Sequence, residues 1–341
     1  MSTDRRDHLH VEDLEIAFGG SGQETRVVRG VSFSIPPGQA FGLVGESGSG
    51  KTLTCRAVLG LLPRGAKVSG LIRLGELSLL ELSRAQMQDL RGSRVSMVFQ
   101  DPMTALNPVL RVGDAIAQVL QSHQRIDRRQ ARRRAIETMG RVGIRDAARR
   151  WRNYPHEFSG GMRQRILIAM ALASRPSLLL ADEPTTALDV IVQAGILRLI
   201  DRLRREEAMS LLLVSHDISI VAGMCERVGV MYAGELVEEG PTSQVLFRPR
   251  HPYTRALIES LPEAATAGPL PSIPGSPPEP GQVPEGCAFA PRCPLATPEC
   301  RAAPIPLTAV GPGHTSRCIH VDRLETMRLE AEVLVEDPNV A

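Results

Sequence analysis

The stretch Gly45-Glu46-Ser47-Gly48-Ser49-Gly50-Lys51-Thr52 decides the fold of this 341-residue chain. It fits the spacing G-x-x-x-x-G-K-[ST], in which glycines let the backbone wrap phosphate oxygens with its N–H groups turned inward. Such a loop needs a strand before it and a helix after it. Residues 39–44 (QAFGLV) read as a buried strand, and residues 51–62 (KTLTCRAVLGLL) carry helical spacing closed by Pro63. The N-terminus of that helix adds the positive end of its dipole. Lys51 and Lys67 are the only lysines in a chain whose other basic residues are Arg. Lys51 brings a compact point charge to the β- and γ-phosphates, where the planar fork of Arg would not fit. Thr52 supplies a hydroxyl to Mg2+.

Further along, Leu178-Leu-Leu-Ala-Asp182-Glu183 is an apolar strand ending in two acids. The carboxyl end of a strand is where open α/β sheets bind ligands. Asp182 is expected to hold Mg2+ and Glu183 to orient and polarise the attacking water, since phosphoryl transfer asks mainly for positioning and charge neutralisation. Strands also read at 9–18, 26–35, 94–99, 209–214, 227–232 and 235–238, and helices at 159–175 and 190–206. Strand–helix alternation of this kind builds a mainly parallel sheet covered by helices.

The bulk numbers narrow the function. Hydrophobic residues are 43%, charged residues 23% and net charge +2, ordinary for a globular protein and no argument for nucleic acid. Runs such as Leu211 to Val214 are far too short to span a bilayer, and the first 18 residues lack an apolar core of signal-peptide length. The chain is expected in the cytosol, with any membrane role supplied by a partner. Between 121 and 152 stand eleven Arg against three acids, the pattern of a solvated helix face. From Pro262 to Gly286 there are eight Pro and four Gly in 25 residues, which reads as a linker or extended segment. A small Cys-bearing module, 286–320, follows, and 321–336 could form one short amphipathic helix.

Phe158-Ser159-Gly160-Gly161-Met162 resembles the signature of ABC ATPases, with Phe and Met in place of the usual Leu and Gln. Ser159 is placed to cap the following helix, whose N-terminus is a second anion site. The resemblance implies that this site completes the ATP pocket of an opposite subunit, so that two ATPs lie at the interface of a head-to-tail dimer. It also implies a Mg2+ and water contact for Gln100, a γ-phosphate contact for His216, an interface crossing for Asp189 and adenine stacking on Phe18. The fold implied is an α/β P-loop NTPase (RecA-like) core of the ABC type, 1–100 and 159–245, with a helical subdomain, 101–158, and an extension, 246–341.

The segments His251-Pro-Tyr-Thr-Arg-Ala-Leu, Ile273-Pro-Gly275 and Gly286-Cys-Ala-Phe-Ala-Pro-Arg-Cys-Pro294 resemble the C-terminal extension of oligopeptide/dipeptide permease ATPase subunits. This resemblance implies an importer with two transmembrane permease subunits, an extracytoplasmic solute-binding protein and a second ATPase subunit, the chain sitting peripherally on the cytoplasmic face of the inner membrane. Cys55 and Cys225 read as buried small hydrophobes. Cys287, Cys293, Cys300 and Cys318, spaced C-x5-C-x6-C-x17-C, lie in a module with little else to form a core. Related permease ATPases carry a [4Fe–4S] cluster on this motif, and a staple of that kind is the expectation here. Zn2+, with His314 or His320 joining, and reduced thiols remain the alternatives.

Overall fold

The computed structural model describes residues 8–19, 24–99, 105–185, 188–261 and 272–326. Its first strands are β1 (Leu9–Phe18), β2 (Thr25–Ile35), β3 (Ala40–Val44), β4 (Lys67–Leu74), β5 (Leu77–Ser78) and β6 (Val95–Val98). There follow β7 (Leu178–Asp182), β8 (Ser210–Ser215), β9 (Arg227–Tyr232), β10 (Glu235–Pro241), β11 (Thr308–Gly311) and β12 (His314–Ser316). Strands β2, β1, β4 and β5 form an antiparallel sheet in that order. The larger sheet runs β11-β12-β10-β9-β3-β8-β7-β6, parallel from β9 to β6 and antiparallel at the other end.

The parallel strands are buried on both faces, which is why they read as unbroken apolar runs. Side chains alternate across a strand. Leu178 and Leu180 of β7 therefore join Leu212 and Val214 of β8 in a core beneath the antiparallel sheet. Leu179 and Ala181 join Leu211 and Leu213 in the core on the opposite face. That second core is closed by helices Val112–His123, Arg128–Arg141 and Gly160–Leu172. On helix Arg128–Arg141, Ala131, Ala135 and Met139 are buried and the arginines point outward. Arg-rich composition here is a solvated face over an apolar seam. Cys55 and Cys225 are buried, as expected.

Residues 272–286 carry no helix or strand, as an extended segment would, 262–271 lie outside the described residues, and the module that follows is joined to the ATPase sheet. Strand β12 pairs with β10 through Glu238↔Ser316 and Glu239↔Thr315, so the extension completes the ATPase sheet. The buried Glu238 carboxylate accepts the N–H groups of Arg250 at 2.7 Å and His251 at 2.9 Å and meets His314 Nε2 at 2.8 Å. Phe289 packs its ring 5.3 Å from those of Tyr232 and Tyr253, which lie 4.6 Å from each other.

These contacts correct the reading of the four cysteines. Cys287, Cys293, Cys300 and Cys318 were expected to hold an iron–sulfur cluster or Zn2+. Among the described residues, however, no group of three or more His, Cys, Asp or Glu is placed to hold a metal ion. The segment borrows the ATPase core through β10 and Tyr232, contacts that hold it without a metal staple. Burial raises the Cys287 thiol and pushes Cys293 up to about 11 and Cys318 up to about 12. The Cys293 and Cys318 sulfurs accept local N–H groups, from Leu295 at 3.4 Å and His320 at 3.3 Å. The signal that misled was composition: many prolines and few large apolar residues suggested a segment without a core, but the core lies across the join.

If Phe289 is the peg that seats the extension, Phe289→Ala should lower the unfolding free energy by about 3–5 kcal/mol. Urea unfolding of the full chain measures this, and a loss below about 1 kcal/mol would show that the extension is held elsewhere.

Candidate functional site

Two strand ends and one loop build the site. β3 leads into the loop 45–50 and helix Lys51–Val58. Gly45 lies at φ 148°, and a Cβ there would come within 2.1 Å of the Met231 carbonyl oxygen, so no side chain is tolerated. Gly50, at φ 101°, starts the helix in a conformation that L residues rarely adopt. Lys51 is 5% exposed, and its Nζ donates to the carbonyls of Gly45 at 2.8 Å and Glu46 at 2.9 Å and to Ser49 Oγ at 3.3 Å. Burial lowers the Lys51 pKa, opposed by the negative charges of Glu183, Asp182 and Glu46. Ser47 and Gly48 form the exposed tip of the loop.

β7 ends beside this loop. Thr52 Oγ1 donates to Asp182 Oδ1 at 2.9 Å across 130 residues of sequence. Asp182 is 1% exposed, burial raises its pKa, and its second oxygen, Oδ2, has no hydrogen-bond partner. A buried carboxylate oxygen without a partner, next to a hydroxyl, suits a hard oxygen-loving cation such as Mg2+. Glu183 follows at φ 46°, a left-handed conformation for a non-glycine residue. Strain of that kind, of order 1–3 kcal/mol, persists where surrounding structure imposes it and clusters at active sites. Here the Glu183 N–H is tied to the Val214 carbonyl at 3.0 Å, and Oε1 lies 3.3 Å from Nδ1 of His216, just past β8. A cavity of about 240 Å3 opens between Glu183, Ser215 and His216.

The remaining expected residues are spread out. Phe18, the last residue of β1, is half-buried against the core beneath the antiparallel sheet. Ser159 stands at the N-cap of helix Gly160–Leu172, but its side chain makes no capping hydrogen bond. Gly161 lies close to the neighbouring helix: a Cβ would meet Val192 Cγ1 at 2.5 Å. Asp189 caps helix Val190–Glu207, its Oδ1 accepting the Val192 N–H at 2.9 Å. Gln100 lies outside the described residues. One neighbour of the site carried no sequence signal. Gln164, buried in the helix after Gly161, donates from Nε2 to the Pro184 carbonyl at 2.5 Å and so ties that helix to the turn after Glu183.

The comparisons with known proteins give the family. Residues 28–186 match the family model described as ABC transporter, and residues 237–300 match the one described as Oligopeptide/dipeptide transporter, C-terminal region. The chain is 48% identical over 314 residues to a probable peptide ABC transporter ATP-binding protein, y4tR, of Sinorhizobium fredii, covering 91% of this chain and 94% of that one. The chain belongs to the ABC transporter ATP-binding family. As an ABC ATPase it binds and hydrolyses ATP, with Mg2+ as the metal. This ABC ATPase is also 42% identical over 311 residues to the oligopeptide transport ATP-binding protein OppD of Salmonella typhimurium, with 91% and 92% of the two chains covered. Its fold resembles the ATP-binding cassette MJ0796, solved as a dimer in a post-hydrolysis state with ADP and phosphate. The TM-score is 0.61 at 25% identity, covering 69% of this chain and 98% of that one.

The enclosure of Lys51 yields a prediction. Lys51→Arg keeps the charge but presents a wider fork to a pocket whose three oxygens already surround the ammonium group. ATP affinity, followed by titration calorimetry, should fall more than about tenfold, or roughly 1.4 kcal/mol. An unchanged Kd would show that charge alone is what this position supplies.

Proposed function

We propose that this ABC ATPase powers the import of di- and oligopeptides. The observation that carries the reading is the extension: the segment 237–300 matches the peptide-transporter C-terminal region, and β12 just beyond it pairs with β10 of the ATPase sheet. Two relatives described as peptide and oligopeptide transport ATP-binding proteins align over 91% of the chain. No helix among the described residues is long and apolar enough to cross a membrane. In this reading the translocation path belongs to partner chains. These are two transmembrane permease subunits, a second ATPase subunit and, outside, a solute-binding protein. The chain works on the cytoplasmic face of the inner membrane.

Within the nucleotide site the roles divide as follows. Lys51 and the loop N–H groups of residues 45–50 hold the β- and γ-phosphates, and the half-buried Phe18 ring stacks on adenine. Thr52, Asp182 and Gln100 hold Mg2+, which when bound neutralises phosphate charge. Glu183 accepts a proton from the attacking water, and His216, in contact with Glu183, fixes the γ-phosphate end. Ser159, Gly160 and Gly161 serve the nucleotide of a second ATPase subunit, since the Ser159 hydroxyl is not spent on its own helix cap. Asp189 lies at the same interface, and directly after it Val190 and Ile191 are 81% and 83% exposed. Two uncovered apolar side chains beside a phosphate site fit a face that another chain covers. ATP drives closure only if it binds the closed dimer more tightly than the open one.

Two substitutions separate these roles. Glu183→Gln keeps shape and removes the charge that polarises water. The variant should bind ATP, turn over at least about a hundredfold more slowly in the assembled transporter, and abolish uptake of labelled di- and oligopeptides by cells that depend on it. Retained turnover removes Glu183 from the chemistry, and unimpaired peptide uptake removes peptides as the cargo. Ser159→Arg places bulk and charge where the second subunit's ATP would lie. Cooperative turnover should disappear while the Kd of the isolated chain for ATP stays within about twofold. A collapse of that Kd would place Ser159 on its own subunit's nucleotide.

A further inference from the structure

Three segments of the extension stand out in the sequence without a part in ATP chemistry: His251-Pro-Tyr253, Ile273-Pro-Gly275 and the run Gly286–Pro294. In the structure the first and third meet at one residue of the phosphate loop, Glu46, and the second braces the arginine that reaches it. The Arg292 guanidinium pairs with the Glu46 carboxylate in a two-pronged fork, Nη1 to Oε2 at 2.7 Å and Nη2 to Oε1 at 3.0 Å. Its other donors are spent as well: Nε goes to the Pro274 carbonyl at 2.8 Å, Nη2 also to Ile273 at 3.3 Å, and Nη1 also to the Tyr232 hydroxyl at 3.2 Å. The Tyr253 hydroxyl accepts the backbone N–H of Glu46 at 2.8 Å. The Arg292 side chain is 5% exposed, whereas Glu46 is 25% exposed. The cation is therefore the fixed member and the loop carboxylate is the member held. Immediately inside the loop, the Glu46 carbonyl accepts from Lys51 Nζ at 2.9 Å.

Glu46 is thus gripped by side chain and backbone from the extension on one side, and by Lys51 on the other. We propose that Arg292 is a positioning residue of the nucleotide site: with Tyr253 it clamps Glu46 and holds the phosphate loop in its binding shape, so that the extension sets the affinity for ATP. A loop already fixed loses less conformational freedom when phosphate binds, which is how pre-organisation raises affinity. The bidentate geometry explains why Arg stands there, since a Lys could reach only one carboxylate oxygen at a time. The inference rests on the reading of residues 45–52 as the ATP site.

The test measures the Kd for ATP by titration calorimetry on the full chain, with thermal unfolding run in parallel. Arg292→Met should weaken ATP binding about tenfold and Arg292→Lys by an intermediate factor, because one of the two prongs survives. If Arg292 acts through Glu46, the double variant Arg292→Met/Glu46→Gln should bind no more weakly than the weaker single variant, which is the mark of coupled residues. A Kd for Arg292→Met within about twofold of the unchanged chain overturns the proposal, as do losses that multiply in the double variant. Should Arg292→Met fail to fold, Tyr253→Phe keeps the ring stack and removes only the hydroxyl. It should cost about threefold in affinity, and no change would overturn the clamp. Failure of the unchanged chain to bind ATP would sink the nucleotide assignment itself, and the clamp with it.

Discussion

Buried charge at the carboxyl edge of the parallel sheet is the constraint on which the rest of the structure depends. Lys51 and Asp182 are both nearly inaccessible, and burial pushes each toward its neutral form. Desolvated ions persist only where oriented partners surround them. The loop carbonyls around Lys51 and the Thr52 hydroxyl on Asp182 are those partners, and each depends on backbone that glycine alone allows at 45 and 50. The double-faced burial of β7 and β3 then serves a purpose beyond stability. It makes the strand ends rigid, so that the Thr52 hydroxyl and the Asp182 carboxylate, 130 residues apart, meet within hydrogen-bond distance.

Much of this was legible in the sequence because the phosphate loop and the acidic strand end are local patterns with strict context. The strand–loop–helix order around Gly45 to Thr52, and the run from Leu178 to Glu183, could be read without knowing what packs on them. Strands β4 and β5, by contrast, carried weak alternation, and β11 and β12 were hidden in a proline-rich stretch. Their existence is decided by pairing partners far away in sequence, such as Glu238 with Ser316. Ser159 was legible as an N-cap position but not as one whose hydroxyl is left out of the cap.

The four cysteines of the extension show the limit of compositional argument. A segment with many prolines and few large apolar residues was expected to need a staple, and four thiols supplied a ready one. What the sequence could not display is that Phe289 finds its core against Tyr232, on a strand of the ATPase sheet, and Tyr253, in helix Pro252–Glu259 of the extension itself. Arg292 was present in the quoted run, yet its partner Glu46 stands 246 residues earlier, in a loop already explained by phosphate binding. A residue with one satisfying role invites no search for a second.

The late position of β12 has a consequence for biosynthesis. Ribosomes deliver the chain from its N-terminus, so the ATPase strands are complete well before residues 314–316 emerge to pair with β10. Until then β10 is an open edge, the Glu238 carboxylate lacks His314, and nothing from the extension holds Glu46. A nascent or prematurely terminated product would carry the whole phosphate-binding sequence and still present an unfinished sheet margin, the kind of surface that recruits chaperones and proteases. The margin of the ATPase sheet is therefore among the latest parts of the fold to be completed.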